Sequence, residues 1–151
     1  MSYERIETPD GSVTYRNLVV GATYRSVHGA ATESRYVFLE GTRLLERTET
    51  WRVLELGFGT GLNFATTLKA AAEHGVFLEY VSLEPSPLPA DHWLVEPEWR
   101  NLEVGRRFEL GGAALTVVPS RWQEFEPPAA FFHAFYHDPF GPGVCPDCWN
   151  E

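Results

Sequence analysis

The sequence predicts an α/β fold with an open, mostly parallel sheet, and three features near its middle support this prediction. The short apolar run of Val53, Leu54 and Leu56 is typical of a buried parallel strand. Three alternating glycines between residues 57 and 61 indicate a tight turn, and residues 62–72 have the pattern of a helix. A second apolar run at residues 76–83 predicts the next strand. Strand, glycine loop, helix and strand form the unit from which such sheets are built.

The glycine loop has a physical reason to contain Gly57, Gly59 and Gly61. Residues without a Cβ atom adopt positive φ readily and let a ligand approach the backbone amides at a helix N-terminus. This favours a nucleotide site, with a glycine turn without a ligand as the alternative. The spacing is G-x-G-x-G, and Leu62 stands where the dinucleotide pattern G-x-G-x-x-G has its third glycine. The loop also lacks a lysine for phosphates, so both features disfavour NAD.

Residues 55–61, ELGFGTG, resemble motif I of class I S-adenosylmethionine-dependent methyltransferases. In that family an acidic residue on the first strand holds the amino end of the methionine, and the glycine loop passes under the ribose and the sulfonium. The resemblance implies S-adenosylmethionine as the cofactor and a Rossmann-like α/β sheet. The residues that it assigns to cofactor binding are Glu55, Gly57, Phe58, Gly59, Thr60, Gly61, Asn63, Glu84 and Ser120.

The last two of these positions lie at the ends of predicted strands. Glu84 follows Gly61 by 23 residues, close to the ~20 at which an acidic residue accepts hydrogen bonds from ribose hydroxyls. An ordinary surface glutamate is the alternative. A hairpin at residues 107–118 leads into the third strand, which ends at Pro119-Ser120 where relatives carry Gly-Asp. Serine keeps one acceptor for the adenine amino group, so the resemblance implies weaker adenine recognition than in relatives.

Composition bounds the classes of protein to which the chain can belong. At 151 residues it has the length of one domain, which buries roughly 70% of its unfolded surface. No apolar run approaches the ~20 residues of a membrane span and the first residues lack a secretion signal, so we predict a cytoplasmic protein with no membrane partner. The net charge of −9, with 12 Lys and Arg residues, argues against a broad nucleic-acid surface. A local arginine patch and a scattered, solvated set of arginines both remain open.

The N-terminal third precedes the main sheet. Residues 10–20 begin with Asp-Gly and predict a β-hairpin. A polar stretch then runs into an apolar, periodic segment, and Thr32 is placed to cap a helix that begins at Glu33. We therefore expect an N-terminal hairpin and substrate-side extension over residues 1–48, and the cofactor-binding sheet over residues 49–151.

Three segments together resemble a narrower family, the MnmC N-terminal domain and MnmD-like tRNA wobble-uridine methyltransferases. They are TYRSVHGAATESRYVF at residues 23–38, ELGFGTGLNF at residues 55–64 and HDPFGPGVCPDCW at residues 137–149. The resemblance covers most of the chain and implies methylation of an aminomethyl group on wobble uridine, of the 5-aminomethyl-2-thiouridine type, with tRNA as the partner. On the substrate side it implies roles for Tyr24, Glu33 and Phe140.

Asp138 is the candidate catalytic residue because of its place after the fourth predicted strand. The apolar run at residues 130–136 leads into Asp138-Pro139-Phe140 at its carboxyl end, where open α/β sheets keep their ligands. Methyl transfer from a sulfonium requires mainly that a neutral amine be oriented against the methyl group. A carboxylate that accepts an N–H from the amine directs its lone pair and stabilises the ammonium that forms. An Asp-Pro turn without function is the alternative.

The remaining motifs point to packing rather than to chemistry. Four prolines within residues 85–101 confine any helix there to about residues 90–95. Cys145 and Cys148 form one C-x-x-C, which is half of a zinc site and has no second pair, so no metal is expected. Cys145 stands where the family usually carries asparagine, which favours an incidental pair.

The chain ends shortly after the fourth strand, and this affects both assembly and activity. The order 3-2-1-4-5-6 of a nucleotide-binding sheet places the fourth strand beside the first, with further strands beyond it. Relatives continue, so we expect a sheet truncated after motif IV, with its C-terminal half missing and residues 130–136 as an exposed apolar edge. This edge predicts a homo-oligomer or poor solubility, unless the N-terminal hairpin covers it. The alternative function is a non-catalytic methyltransferase-like module or remnant that pairs with another protein.

Overall fold

Two sheets and several helical segments make up the structure, a computed structural model that describes residues 3–24 and 29–149. Residues 25–28 of the segment 23–38 therefore lie outside the description. The strands are β1 (Tyr3–Glu7), β2 (Val13–Asn17), β3 (Ala22–Thr23), β4 (Trp51–Leu56), β5 (Leu78–Leu83), β6 (Phe108–Leu110), β7 (Ala113–Val118) and β8 (Ala134–His137). The α-helices are α1 (Ala30–Glu33) and α2 (Leu62–Glu73), a π-helical segment spans Ser34–Glu40, and 3₁₀ turns span Leu44–Glu46, Ala90–His92, Pro97–Asn101, Trp122–Glu124 and Pro146–Cys148.

The larger sheet has the order β6-β7-β5-β4-β8. Strands β7, β5, β4 and β8 are parallel, and β6 is antiparallel to β7. Across the sheet, β7, β5, β4 and β8 are the third, second, first and fourth parallel strands in chain order. This is the order of a doubly wound sheet and confirms the predicted Rossmann-like α/β fold. Among the described residues, β8 forms the edge beyond β4.

One face of this sheet carries most of the core. Helix α2 packs there with the helical segment around Phe38, and aromatic rings fill the layer between them and the strands. The ring of Phe64 stands edge-on to Tyr80 at 5.2 Å and to Trp99 at 4.9 Å between centroids, a favoured aromatic geometry. This packing holds the N-terminus of α2 against the carboxyl ends of the strands.

The opposite face is covered by a smaller cluster. Leu54, Leu56 and Leu83 are buried there, and the partly buried rings of Trp122, Phe125 and Phe132 pack against them. These rings come from the connection between β7 and β8, so this long loop substitutes for a helix layer.

Helix α2 begins and ends close to the predicted residues. It starts after Gly61, which has φ +77°, and Gly75 follows its end with φ +65°. The amide of Gly75 donates to the carbonyl of Ala72 at 3.2 Å and that of Val76 to Ala71 at 3.1 Å. This paired pattern is a Schellman motif and confirms Gly75 as the helix-terminating glycine.

The N-terminal region differs from its prediction in two ways. The hairpin is part of a three-stranded antiparallel sheet in the order β1-β2-β3. The helix begins at Ala30, so the expectation that Thr32 caps a helix at Glu33 was wrong. The backbone N–H and the hydroxyl of Thr32 both donate to Asp10 Oδ2, at 3.0 and 2.9 Å. Asp10 thus caps the helix from outside. Hydrogen bonds from the hydroxyls of Ser12 and Thr8, and after these from the backbone amides of Thr32 and Ser12, hold the pKa of Asp10 well below its usual range.

The fourth strand is shorter than the predicted run of residues 130–136. It comprises Ala134–His137, because two prolines precede a turn in which the Phe131 amide donates to Pro128 and Ala130 adopts φ +54°. The limit placed on helix within residues 85–101 was also too strict. A second 3₁₀ turn spans Pro97–Asn101, where the proline occupies the first turn and needs no amide partner.

The predicted N-terminal extension of residues 1–48 contributes to the core of the main sheet. Three of its side chains are buried there, those of Phe38, Leu39 and Leu44. None of the helices described is long and apolar enough to cross a membrane.

Candidate active site

A cavity of about 300 Å³ opens at the carboxyl ends of β4, β5, β7 and β8. This is the crevice in which doubly wound sheets bind ligands. Its walls come from the glycine loop and from the segments that follow the strands. The lining residues are Tyr24, Leu56, Gly57, Gly59, Glu84, Pro85, Ser86, Arg121, Trp122, Gln123, Asp138, Pro139, Phe140, Cys145, Asp147 and Cys148.

The glycine loop is shaped by contacts with the protein itself. Gly57 has φ +89°, and a Cβ atom there would lie 2.6 Å from the carbonyl oxygen of Asp138. Gly59 has φ +54°, and its Cβ would lie 3.0 Å from Cδ1 of Tyr24. At Gly61 the obstacle is the ring of Phe58, at 2.8 Å. The three glycines therefore allow close packing of β8, the N-terminal region and the loop around one opening.

Glu84 lies at the end of β5, directly across from the loop. Its Oε2 accepts the Gly59 amide at 3.3 Å and its Oε1 accepts the Ser86 amide at 3.1 Å. Burial raises the pKa of Glu84 above its ordinary value, and the backbone donors only partly offset this effect. The carboxylate is thus oriented at the cavity wall, with lone pairs on both oxygens beyond those that the amides use.

Asp138 follows β8 and joins a hydrogen-bonded network that runs beneath the loop. Asn63 donates from Nδ2 to Asp138 Oδ2 at 3.2 Å and to Glu55 Oε1 at 2.9 Å. Ser82 donates to the other oxygen of Glu55 at 2.8 Å. Glu55 has no exposed surface, so this carboxylate is satisfied within the protein.

Two aromatic side chains cover the outer wall. The rings of Tyr24 and Phe140 lie 4.9 Å apart between centroids, and both face the cavity. Burial raises the pKa of Tyr24 to about 12, so its phenol stays neutral at physiological pH.

The structure brings together only some of the residues that the sequence analysis assigned to a site. Six of them line the cavity: Tyr24, Gly57, Gly59, Glu84, Asp138 and Phe140. Glu55, Phe58, Thr60, Gly61 and Asn63 lie behind the cavity wall and are buried. Glu33 ends α1 and does not line the cavity.

The predicted adenine contact, Ser120, is not part of the cavity lining either. Its hydroxyl donates to the carbonyl of Arg121 at 2.9 Å. The next three residues take its place along the wall, namely Arg121, Trp122 and Gln123. Sequence reasoning missed them, although their position directly after the end of a parallel strand was a signal that could have found them.

Cys145 and Cys148 form a disulfide, and the expectation that the pair has no role in the chemistry stays a prediction. The loop that they close is tied down on both sides. Gln123 donates to the Asp147 carbonyl at 2.7 Å, and Trp149 donates from its indole to the Phe140 carbonyl at 2.9 Å. Within residues 3–24 and 29–149, no group of three or more His, Cys, Asp or Glu side chains is arranged to hold a metal ion.

The charge of the lining selects the kind of ligand. Glu84, Asp138 and Asp147 contribute carboxylates, and Arg121 contributes one guanidinium. A pyrophosphate would meet mostly like charge here, whereas a sulfonium or an amine would be attracted. Paired acceptors on Glu84 suit a ribose diol, and the apolar surfaces of Leu56, Pro85 and Trp122 suit a flat base. The residues present therefore fit S-adenosylmethionine better than a dinucleotide.

Fold and cavity together define a Rossmann-like α/β protein with a cavity at its glycine loop. Comparison with known proteins identifies its homologues as proteins named tRNA 5-methylaminomethyl-2-thiouridine biosynthesis bifunctional protein MnmC. That of Pseudomonas paraeruginosa is 32% identical over 87% of the chain, and that of Burkholderia thailandensis is 30% identical over 93%. These matches cover 24% and 26% of the relatives, so the chain spans about a quarter of the length of the curated proteins that it resembles.

A solved structure agrees with this relationship. The crystal structure of MNMC2 from Aquifex aeolicus superposes with a TM-score of 0.81 and 29% identity. The match covers 98% of the chain and 52% of that structure. No protein-family model matches the sequence.

Proposed function

We propose that the chain is an S-adenosylmethionine-dependent N-methyltransferase that acts on the aminomethyl group of a tRNA wobble uridine of the 5-aminomethyl-2-thiouridine type. The observation that carries this proposal is the meeting of the glycine loop, Glu84 and Asp138 around one cavity at the strand ends. The names of the MnmC homologues support the same chemistry. A tRNA substrate would also place the protein in the cytoplasm.

The cofactor would be held chiefly by groups that already line the cavity. Glu84 would accept hydrogen bonds from both ribose hydroxyls, and the backbone at Gly57 and Gly59 would let the nucleoside approach closely. When bound, S-adenosylmethionine supplies an electrophilic methyl group on a sulfonium. Glu55 would contribute indirectly, through the network beneath the loop, because it does not reach the cavity wall.

Asp138 would act on the substrate amine. Its carboxylate accepts an N–H, which directs the nitrogen lone pair toward the methyl group, and its charge stabilises the ammonium as it forms. Tyr24 and Phe140 would exclude water from this end of the cavity, which strengthens the electrostatic effect of Asp138. The phenol of Tyr24 stays neutral and adds no competing charge.

Contact with tRNA would be local. The net charge of −9 disfavours a broad phosphate-binding surface. Arg121 lines the cavity and is exposed, and it would meet a phosphate near the reacting base. The domain division at residues 48 and 49 stays a prediction, with the N-terminal part contributing Tyr24 to the substrate side.

Mass spectrometry of tRNA tests the proposed activity. Undermodified tRNA that carries 5-aminomethyl-2-thiouridine is incubated with the chain and S-adenosylmethionine, then digested to nucleosides. We expect the methylaminomethyl product with the natural chain and none with Asp138→Ala. Absence of product with the natural chain, under conditions where it binds the cofactor, would exclude the methyltransferase.

A second candidate is a non-catalytic module that pairs with another protein. It is favoured by the position of Ser120 outside the cavity and by the edge strand β8, whose Phe135 is 53% exposed. Under this alternative, Asp138→Ala leaves the behaviour of the chain unchanged, and a stable complex with a partner protein is isolated. The first candidate predicts the opposite response at Asp138.

A further inference from the structure

We propose that Asn63 is a positioning residue, whose side-chain amide holds the Asp138 carboxylate in the orientation that meets the substrate amine. This inference rests on the proposed methyl transfer and deepens it. It also changes the role of Asn63, which the resemblance assigned to cofactor binding. The side chain of Asn63 is 1% exposed and does not line the cavity, so its effect on the reaction must pass through a neighbour.

The amide of Asn63 connects three separate parts of the chain. Its Nδ2 donates to Glu55 on β4 at 2.9 Å and to Asp138 after β8 at 3.2 Å. Its Oδ1 accepts a hydrogen bond from Ser34 at the start of the π-helical segment. Both N–H donors and the carbonyl acceptor are therefore engaged within the protein.

This arrangement permits one orientation of the amide. The contacted oxygens of Glu55 and Asp138 both act as acceptors, so a rotated amide would set its own oxygen against both of them. Rotation would also turn the NH₂ group toward Ser34. Since the amide cannot rotate, the Asp138 oxygen that it contacts is fixed in direction as well.

A neutral bridge suits the position between two carboxylates. Glu55 is fully buried, and an apolar side chain at residue 63 would leave both carboxyl groups without the donor that they share. The partial positive charges of the amide hydrogens stabilise both carboxylates at once. Ser82 donates to the other oxygen of Glu55 at 2.8 Å, so the Glu55 side chain that Asn63 contacts is itself held in position.

A double-mutant cycle with Asp138 separates positioning from a general structural effect. Single-turnover methyl transfer is measured for the natural chain, Asn63→Ala, Asp138→Asn and the double variant. We expect Asn63→Ala to slow transfer by about 10- to 100-fold, the range associated with misplacement of a reacting group. In the Asp138→Asn background the same change should slow transfer by less than about twofold, because the positioned carboxylate is already gone.

Two further measurements complete the design. Calorimetry should show that Asn63→Ala binds S-adenosylmethionine within about threefold of the natural chain, since the amide does not reach the cavity. Ser34→Ala provides a milder variant that keeps both amide donors, and we expect a loss of about fivefold, equivalent to one ordinary hydrogen bond. The matched control is Asn101→Ala, at an exposed asparagine outside the cavity, which should transfer methyl groups at the natural rate.

The outcomes distinguish this inference from the function on which it rests. If Asn63→Ala retains the natural rate, or slows transfer equally in both backgrounds, the positioning role is wrong while the methyltransferase stands. If Asn63→Ala does not fold, Ser34→Ala decides: should it transfer methyl groups as fast as the natural chain, the positioning role of Asn63 is wrong. If the natural chain transfers no methyl group, the proposed function fails, and the positioning role fails with it.

Discussion

Replacing Gly57 by alanine should damage the site by displacing Asp138. The added Cβ would lie 2.6 Å from the Asp138 carbonyl oxygen, and an ordinary contact begins at 3.4 Å, so the two backbones must separate by about 0.8 Å. A shift of that size approaches the ~1 Å that lowers rates by about 100-fold when a catalytic group is misplaced. The neighbouring obstacle is also backbone, the Cα of Pro139 at 3.2 Å, so side-chain rotation cannot relieve the collision.

The same substitution has a separate conformational cost. Gly57 has φ +89°, and alanine in a left-handed conformation costs roughly 1–2 kcal/mol. Overpacking adds about 1–3 kcal/mol. We therefore expect the free energy of unfolding of Gly57→Ala to fall by about 2–5 kcal/mol in urea titration, together with the loss in methyl transfer.

Gly105→Ala is the matched control for the conformational term. Its φ is +88°, and the nearest atom to an added Cβ is Pro119 Cδ at 3.9 Å. It should lose about 1–2 kcal/mol of stability and keep the natural rate of transfer. If Gly57→Ala and Gly105→Ala transfer methyl groups equally fast, the contact between the glycine loop and Asp138 does not matter for activity, and the reasoning is refuted.

Three further predictions concern the cofactor wall and the sheet edge. Because burial raises the pKa of Glu84 above 4.5, the affinity for S-adenosylmethionine should weaken as the pH falls through a midpoint above that value. Calorimetry across pH checks this, and a pH dependence that persists unchanged in Glu84→Gln would contradict it. Gly59→Ala should weaken cofactor binding because its Cβ would lie 3.0 Å from the Tyr24 ring. Adding Tyr24→Ala should then restore part of the affinity. If the double variant shows no rescue, the collision with Tyr24 is not the cause. The exposed ring of Phe135 on the edge strand should support self-association, so we expect a dimer or larger oligomer by light scattering and a monomer for Phe135→Lys; a natural chain that is monomeric at tens of micromolar would refute this.

The sequence was sufficient to predict the parts of the site that depend on local pattern. The apolar run of β4 and the three glycines after it specify strand, loop and helix within one short segment, and the structure confirms all three. Glu84 directly follows the parallel strand β5, and for this reason it lies at the cavity, where the strands end. Asp138 was placed by the same rule, since the ends of neighbouring parallel strands meet at one edge.

Other features depend on contacts between distant residues, which a single sequence does not reveal. Asn63 and Asp138 are 75 residues apart, and nothing in the local pattern around Asn63 indicates a bridge between two carboxylates. The motif resemblance assigned Glu55 to the cofactor, which stays a prediction, and it gave no sign that this carboxyl group is buried and hydrogen-bonded to Asn63 and Ser82. The fourth strand was overestimated because the aromatic run hides a turn set by the two prolines before it.

Calorimetric titration of S-adenosylmethionine into the chain tests the central claim most directly. We expect saturable binding at a single site, and a weakening of at least about 100-fold in Glu84→Ala, because two hydrogen bonds to a charged carboxylate are lost and each is worth about 1.5–3 kcal/mol. If the natural chain gives no heat of binding at millimolar cofactor, the cavity at the glycine loop is not a site for S-adenosylmethionine.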